Sequence, residues 1–444
     1  MSFFWSTPPQ QIRDHFKRHF CAVGTAEAAP HEQIRIPPNQ TSPWANIPSD
    51  ILCYICDQAF SETSAHYGVE MLALVCKLWY KIVTAYGRPW SIIRIEPNLH
   101  KSTVYPTIKS YVNTRLKHSH PYPLNVAIHP LSPEWSGSPN FLQKDIRNAI
   151  DAVVGEGLHA RRWGTLDVTV HPFVRARLKH PTPVLRRVTL VGVMPYGWDF
   201  DGLFPMAPNL RDLSLTGMDS AYYLQIPAST LVTTENLRLQ GFSAFTCISL
   251  LEKFVKTRRL TTLELTGTRS SASQRASVTL PTVHTLILNV RGPISVMFSA
   301  LILPGMVELV VIGGDKDHRS QNVLDDHGAF QSFTSKLETL RLEFLRFDNK
   351  DHLKNTLVAV PKVNRLVMRG ITCDGAPVDP IGQGPTLKGV GGWISGRWAL
   401  GRSREPDYVT LLKDPLIFPV LSHCTVGDID RKDLVVLRRP REVE

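Results

Sequence analysis

Nine times between residues 163 and 370 the chain repeats one short pattern: a leucine-like residue, two others, then apolar–x–apolar. The pattern is read in WGTLDVTV, LRRVTLVGV, LRDLSLTGM, TENLRLQGF, LTTLELTGT, VHTLILNV, MVELVVIGG, LETLRLEF and VNRLVMRGI. Its central residues are Leu166, Val188, Leu213, Leu237, Leu263, Leu286, Leu309, Leu340 and Leu366, with successive gaps of 22, 25, 24, 26, 23, 23, 31 and 26. The alternation of period two predicts a half-buried strand at each. Several segments end in Gly, where the chain turns. The stretches between them are helical or irregular, as in AFTCISLLEKFVKTRR at 244–259.

A strand recurring every ~20–29 residues is the signature of a leucine-rich repeat, here degenerate because the closing Asn or Cys is mostly absent. One such unit cannot bury its apolar face alone, and stacked neighbours supply a continuous core. Two longer units precede the nine. TIKSYVNTRLKHSHPYPLNVAIH (107–129) and FLQKDIRNAIDAVVGEGLHARRWGTLDVTV (141–170) each read helix, turn, strand, and WSIIRIEP near residue 92 supplies a first strand. The expected fold is therefore α/β: a small helical module over 46–91, then a leucine-rich-repeat-like solenoid over 92–373, curved, with parallel strands on its concave face. Positions alternating with the central residues then face outward. Among them Arg187, Asp212, Arg238, Glu264, Ile287, Glu308, Val310, Arg341 and Arg365 form the candidate substrate face. That face is mixed in charge and grows more apolar toward the C-terminal repeats, which suits a protein partner. The plainer alternative is a concave face that binds nothing in particular.

Outside the array the patterning changes. Residues 1–45 are expected to be a flexible extension. Residues 374–406 hold 8 Gly and 4 Pro in 33 positions and read as a loop or insertion, with Trp393 and Trp398 available to pin it. Residues 407–444 hold one more candidate strand, FPVLSHCTVGD (418–428), and a basic tail. The N-terminus lacks a basic n-region followed by an apolar h-region, so no signal peptide is expected. VMFSALILPGMVELVVIGG (296–314) is interrupted by Pro304, Gly305 and Glu308, whereas a spanning helix needs ~20 uninterrupted apolar residues. Seven cysteines, an odd number without framework spacing, fit a reducing compartment, and a cytoplasmic or nuclear location is expected. The net charge is +11, of which residues 96–380 carry +8, from 32 basic and 24 acidic side chains. So diluted an excess predicts a basic solvated face rather than a nucleic-acid surface.

The helical module carries the remaining signal. Pro48 and Ser49 start a helix and Asp50 suits its first turn. Ile51, Leu52, Ile55, Cys56 and Ala59 then fill one arc, with Cys53 at its edge. A second helix, MLALVCKLWYKIV, repeats the arrangement with Leu72, Val75, Cys76, Trp79, Ile82 and Val83. Ile47-Pro48-x-Asp50-Ile51-Leu52-x-x-Ile55, then Leu72-x-x-Val75-Cys76-Lys77-x-Trp79 and Pro89-Trp90, resembles an F-box over about fifty residues. The pairing with degenerate repeats is similar to many fungal F-box proteins. The resemblance implies a module that docks on the Skp-type linker of a cullin–RING ubiquitin ligase, with the repeats as substrate receptor. It implies linker contacts at Ile47, Pro48, Ile51, Leu52, Ile55, Leu72, Leu74 and Val75, and a module core of Cys56, Cys76, Trp79 and Trp90. The chain departs from the family pattern in starting with Ile47 rather than Leu, and in the long link SETSAHYGVE (61–70) between its helices.

Catalytic and metal readings are weaker. Cys53 and Cys56 have C-x-x-C spacing, but a redox cysteine belongs at a helix N-terminus and Cys53 falls a turn inside. Cys53, Cys56, His66 and Cys76 would make four zinc donors, yet Cys76 takes a core position and free Cys packs as a small apolar residue. GEGLHA (155–160) mimics a dinucleotide fingerprint, but a helix precedes it and a strand follows, the reverse of what that motif needs. His118 is expected in a Pro-flanked loop, without a catalytic partner. Arginine pairs at 161–162, 186–187 and 258–259 suit helix C-termini, or else form a basic rim for an acidic substrate segment. The leading expectation is a non-catalytic, substrate-recruiting subunit of a Skp–cullin–F-box ubiquitin ligase, with no metal, cofactor, nucleic acid or membrane partner. The alternatives are a repeat scaffold in which the helices only cap the array, and a basic nucleic-acid binder.

Overall fold

A computed structural model describes residues 47–61, 68–73, 75, 77–96, 105–129, 140–170, 174, 177–192, 204, 206–217, 231–267, 277–289, 295–313, 320–321, 336–347, 350–360, 362–369, 371–373, 423–427 and 435–437. The expected extension at 1–45 and loop at 374–406 lie outside these residues. The chain divides into two compact units, Met1–Thr233 and Thr234–Glu444, so the boundary falls inside the stretch 92–373 expected to be a single array.

The first unit begins with helix α1 (Ser49–Ser61), whose first turn closes where the Leu52 N–H donates to the Pro48 carbonyl at 3.1 Å. The second helix expected over 71–83 is instead two: α2 (Gly68–Ala73) and α3 (Lys77–Ala85). The break is a tight turn in which the Val75 N–H reaches the Leu72 carbonyl at 3.2 Å, and helix resumes at Lys77. A short 3₁₀ turn at Pro89–Ser91, with proline at its start, ends the module. Trp90 is buried there and donates its Nε1–H to the Val83 carbonyl at 2.8 Å.

Strand β1 (Ile92–Ile95) follows at once, then helix α4 (Ile108–His118), β2 (Leu124–Ile128), helix α5 (Asn140–Val154) and β3 (Trp163–Thr169). The helix–turn–strand units expected at 107–129 and 141–170 are thus present. Thr107 and Ser110 form a capping box at the start of α4. The Asp145 carboxylate, on α5, accepts the N–H groups of Ile108 and Lys109 at 2.7 and 3.4 Å. A negative charge on the exposed N–H groups of a helix start also complements its dipole. Strands β4 (Arg187–Val191) and β5 (Asp212–Thr216) complete a parallel sheet whose neighbours follow chain order, β1 to β5.

The second unit contains β6 (Asn236–Gln240), α6 (Ala244–Glu252), β7 (Thr262–Thr266), β8 (Val278–Thr279), β9 (Thr285–Asn289), α7 (Ser295–Ala300) and β10 (Leu301–Ile302). It continues with β11 (Glu308–Ile312), β12 (Ser320–Gln321), β13 (Thr339–Glu343), β14 (Leu345–Phe347), α8 (Lys350–Val358), β15 (Arg365–Arg369) and β16 (Thr372–Cys373). Its main sheet runs β6-β7-β9-β11-β13-β15, all parallel. Strand β17 (His423–Gly427) extends it in parallel and β18 (Val435–Leu437) in antiparallel. The strand expected within 418–428 is therefore present, and part of the expected tail is a strand. Two small parallel sheets, β8 with β10 and β12 with β14 and β16, stand apart from the main one.

The nine central residues are the spine of both sheets. In the first unit Ile93, Val126, Leu166, Val188 and Leu213 are register partners in one row. In the second the row is Leu237, Leu263, Leu286, Leu309, Leu340 and Leu366. Every one of these is buried. A second buried row lies two residues on, from Ile95 to Leu215 and from Leu239 to Met368. Each buried Leu contributes roughly 1.5–3 kcal/mol, so identical register from strand to strand builds the core by repetition.

The backbone repeats with the same regularity. Ahead of each strand one carbonyl accepts two N–H groups from the next unit: Glu235 from Thr261 and Thr262, Thr261 from His284 and Thr285, His284 from Val307 and Glu308, Val307 from Glu338 and Thr339. At the strand exits Gly217, Gly241 and Gly267 have φ of 65°, 78° and 64°, which glycine adopts without steric cost. Phe344 takes the same exit position after β13 at φ 55°, a strained conformation for a residue with a Cβ.

Candidate protein-interaction site

Helix α1 packs on α2, α3 and the Pro89–Ser91 turn. With one flank so covered, Ile51, Tyr54 and Ile55, at i, i+3 and i+4, share the other. Ile51 is 48% exposed and Tyr54 63%, while Ile55 is half-buried. The break between α2 and α3 leaves Val75 49% exposed, and Tyr80 on α3 is exposed as well. Pro48 is exposed, and Ile47 and Leu72 are half-buried. Leu52 is a correction: it was expected on the docking surface, but it is fully buried and serves the module core. A continuous arc through Ile51 and Leu52 was too wide, because helix α1 is covered on that side. Trp79 and Trp90 are buried. Leu74, Cys76 and the side chain of Cys56 lie outside the described residues, as does His66.

What fastens this module to the first strands went unread in the sequence. Glu70, on α2, and Arg115, on α4, form a fully buried ion pair: Arg115 Nη2 donates to Glu70 Oε2 at 2.8 Å and its Nε to Oε1 at 3.1 Å. Arg115 Nη1 also donates to the carbonyls of Ile92 and Pro89, at 2.6 and 3.3 Å. The Tyr105 hydroxyl donates to Glu70 at 3.0 Å, and the Arg115 guanidinium lies 4.9 Å above the Tyr111 ring. Burial alone disfavours the Arg115 cation, but the Glu70 carboxylate and the two tyrosines outweigh it, and its pKa rises. Burial, with the Glu70 charge, holds the Tyr105 hydroxyl well above its ordinary 10.0, and burial likewise raises Tyr111. The signal was available in GVEMLA, whose strong helix formers place Glu70 on a helix rather than in the link 61–70.

His118 is not in a loop; it ends α4 and stacks on Trp90 with centroids 4.7 Å apart. Burial, then the Lys117 charge, lowers its pKa. GEGLHA follows α5 and precedes β3, with Gly155 and Gly157 at φ 54° and 92°, so it is a helix exit and not a phosphate cradle. A Cβ on Gly157 would come within 2.8 Å of His180 Nδ1. Cys53 is half-buried inside α1 and in no disulfide. Among the described residues no three His, Cys, Asp or Glu side chains are grouped to hold a metal ion, and no helix is long and apolar enough to cross a membrane.

The outward strand faces of the two units differ. In the first, Arg187 Nε meets Asp212 Oδ2 at 3.2 Å across adjacent strands. His129 lies between Thr169 Oγ1 at 2.9 Å and Asp167 Oδ2 at 3.5 Å, and Thr165 donates to Asn125. This face is hydroxyl-rich and internally bonded. In the second, Arg238 pairs with Glu264 at 3.1 Å and Thr285 donates to Glu308 at 3.1 Å. Beyond them Ile287 and Ile312 are half-buried, and so is Val367. Val310 corrects an expectation: it shares their outward row but is only 7% exposed, so it offers little surface. Three arginines follow. Arg341 and Arg369 share Glu343, at 2.7 and 3.6 Å, and Arg365 is exposed. Arg369 and Ile312 were missed by reading two outward positions per strand where five-residue strands have three.

No protein-family model and no curated protein matches the chain. Among solved structures it is similar to the crystal structure of a TLR13–ssRNA13 complex, at 15% identity and a TM-score of 0.27, over 46% of this chain and 34% of that one. The chain thus spans about a third of that protein's length. At that level the likeness adds nothing to the register of the strands themselves.

Proposed function

We propose that this protein is a substrate-recruiting subunit of a Skp–cullin–F-box ubiquitin ligase, without catalytic residues of its own. One observation carries the reading. An F-box-like order of residues puts Ile51, Tyr54 and Val75 in solvent on a small helical module, while Trp79 and Trp90 hold that module together from inside. Large apolar side chains left exposed on one short module mark an interaction surface. On this reading α1 and the α2–α3 break dock on the Skp-type linker, and the strand faces take up a protein substrate. Holding the substrate beside a charged ubiquitin carrier raises its effective concentration, which is the whole of the contribution. Native co-purification with a Skp-type linker tests it. The expected result is co-elution that is lost when Ile51→Asp and Ile55→Asp are combined; linker retention by that variant overturns the assignment.

A second reading has an observation of its own. Glu70, Arg115 and Trp90 bury the module against the first helix and strand, as a terminal cap on a repeat array would be buried. A capped protein-interaction scaffold needs no linker, and absence of co-purification from native extract selects it.

A further inference from the structure

The second unit's strand face has a feature its paired charges do not explain. On β13 and β15, Arg341, Arg365 and Arg369 all stand on the outward face, and Arg341 and Arg369 share one carboxylate, Glu343. Glu343 is nearly buried and is already shared by two guanidiniums, while Arg365 stands at the other end of β15, in the register row of Thr339. Arg365 is exposed, and no described residue pairs with it. Arg369 Nε is a buried N–H that meets no acceptor. An unmade hydrogen bond of this kind is costly unless something supplies the acceptor. Elsewhere on the same face Glu264 takes one guanidinium, that of Arg238, and the Thr266 hydroxyl.

Next to this cluster the face is apolar. Register sets Ile287 beside Val310, Val310 beside Arg341 and Arg341 beside Val367, while Ile312 pairs with Glu343. The row therefore reads apolar, apolar, arginine, apolar across four strands, with cations at both ends of β15. We propose that β9, β11, β13 and β15 form a docking site for an acidic protein segment. An apolar side chain of that segment rests on Ile287, Ile312 and Val367, and its carboxylates meet Arg365 and Arg369. The carboxylate geometry suits arginine, whose planar guanidinium donates two parallel hydrogen bonds to it. A nucleic acid fits less well. Single-strand binding needs aromatic platforms for the bases together with a basic track along the backbone; here the cations occupy two strands and their neighbours are aliphatic.

The site names the partner chemistry of the recruiting array, and it rests on the proposed function only in assigning recruitment to the strand face. The full chain is titrated with four fluorescein-labelled probes: a short peptide combining leucines with glutamates, one with leucines and lysines, one with glutamates and glycines, and oligo-dT. The leucine–glutamate peptide is expected to bind best, and more weakly as salt rises. Arg365→Glu is expected to weaken that binding about tenfold, as reversal of a charge in direct contact does. Ile287→Asp is expected to do the same, while Arg187→Glu on the first unit's face leaves it unchanged. Arg365 is exposed and no described residue pairs with its side chain, so its replacement does not threaten folding, and a circular dichroism melt of each variant verifies this. Equal binding of all peptides, preference for oligo-dT, or an Arg365→Glu variant that binds as the parent does would each overturn the proposal. Ile51→Asp with Ile55→Asp is titrated alongside: retained peptide binding with linker capture absent even in the parent protein discards the ligase reading and keeps this one.

Discussion

The molecule contains two kinds of ion pair, and they do different work. Glu70 and Arg115 meet where water is excluded, each satisfied by several groups, with Tyr105, Pro89 and Ile92 completing the shell. Arg187–Asp212 and Arg238–Glu264 meet across neighbouring strands on an open face, where solvent reaches both partners. Burial makes the first pair obligatory once formed: removing either member leaves a charge with no water to take its place. Exposure makes the second kind replaceable, since water substitutes for a lost partner at little cost. The joint between helical module and first strands is therefore held by electrostatics, whereas the pairs of the strand face are only weakly held.

The contrast breaks most visibly at the joint. Glu70→Ala or Arg115→Ala is expected to cost about 3–5 kcal/mol, read as a drop in the denaturant midpoint. The paired replacement Glu70→Leu with Arg115→Met is expected to recover most of that loss, because an apolar pair leaves no orphaned charge. If the double variant is as unstable as the singles, the pair is supplying geometry that hydrophobic side chains cannot.

A pH series separates the two regions next. Tyr105 and Tyr111 have folded pKa values above their ordinary 10.0, so below pH 10 both are protonated whether the chain is folded or not. Above pH 10 the unfolded chain releases these protons first, and stability falls as pH rises toward the folded values. Denaturant midpoints are expected to decline from pH 10 upward. Tyr111→Phe is expected to flatten the decline, which a parallel absorbance titration of tyrosinate would follow. An unchanged slope in that variant would move the effect elsewhere.

The smallest effect belongs to the open face. A double-mutant cycle on Arg238→Ala and Glu264→Ala is expected to give a coupling of about 0.2–1 kcal/mol that shrinks with added salt. A coupling as large as that of the buried joint would mean that the face is shielded from solvent.

The sequence made some of this legible and hid the rest for physical reasons. The strand centres from Leu166 to Leu366 were readable because alternation of period two and recurrent spacing are set by the chain alone. Their shared register holds although the returns differ in length, with 22 to 31 residues between centres. Leu52 and Val310 were misplaced because a residue's own periodicity says which side of an element it is on, not what packs against that side. The division of 71–83 into α2 and α3 was hidden because every residue of MLALVCKLWYKIV tolerates helix, and only the turn from Leu72 to Val75 breaks it. Glu70 was hidden because its partner, Arg115, is forty-five positions away in the chain.

Strand β18 has a consequence of a different order. Stacked parallel units have no natural stopping point, since each strand leaves on its far side a row of unpaired N–H and C=O groups ready for another like it. Were β17 the outer strand, a second molecule could lay its own leading strand there, and a third upon that, in open-ended head-to-tail growth. By reversing direction, β18 ends that series: a further strand in the array's own orientation would meet it antiparallel, not in the parallel row that the repeats build. Three residues of reversed backbone thus change what the edge offers a second copy, from one more parallel step of the repeat to a single antiparallel pairing.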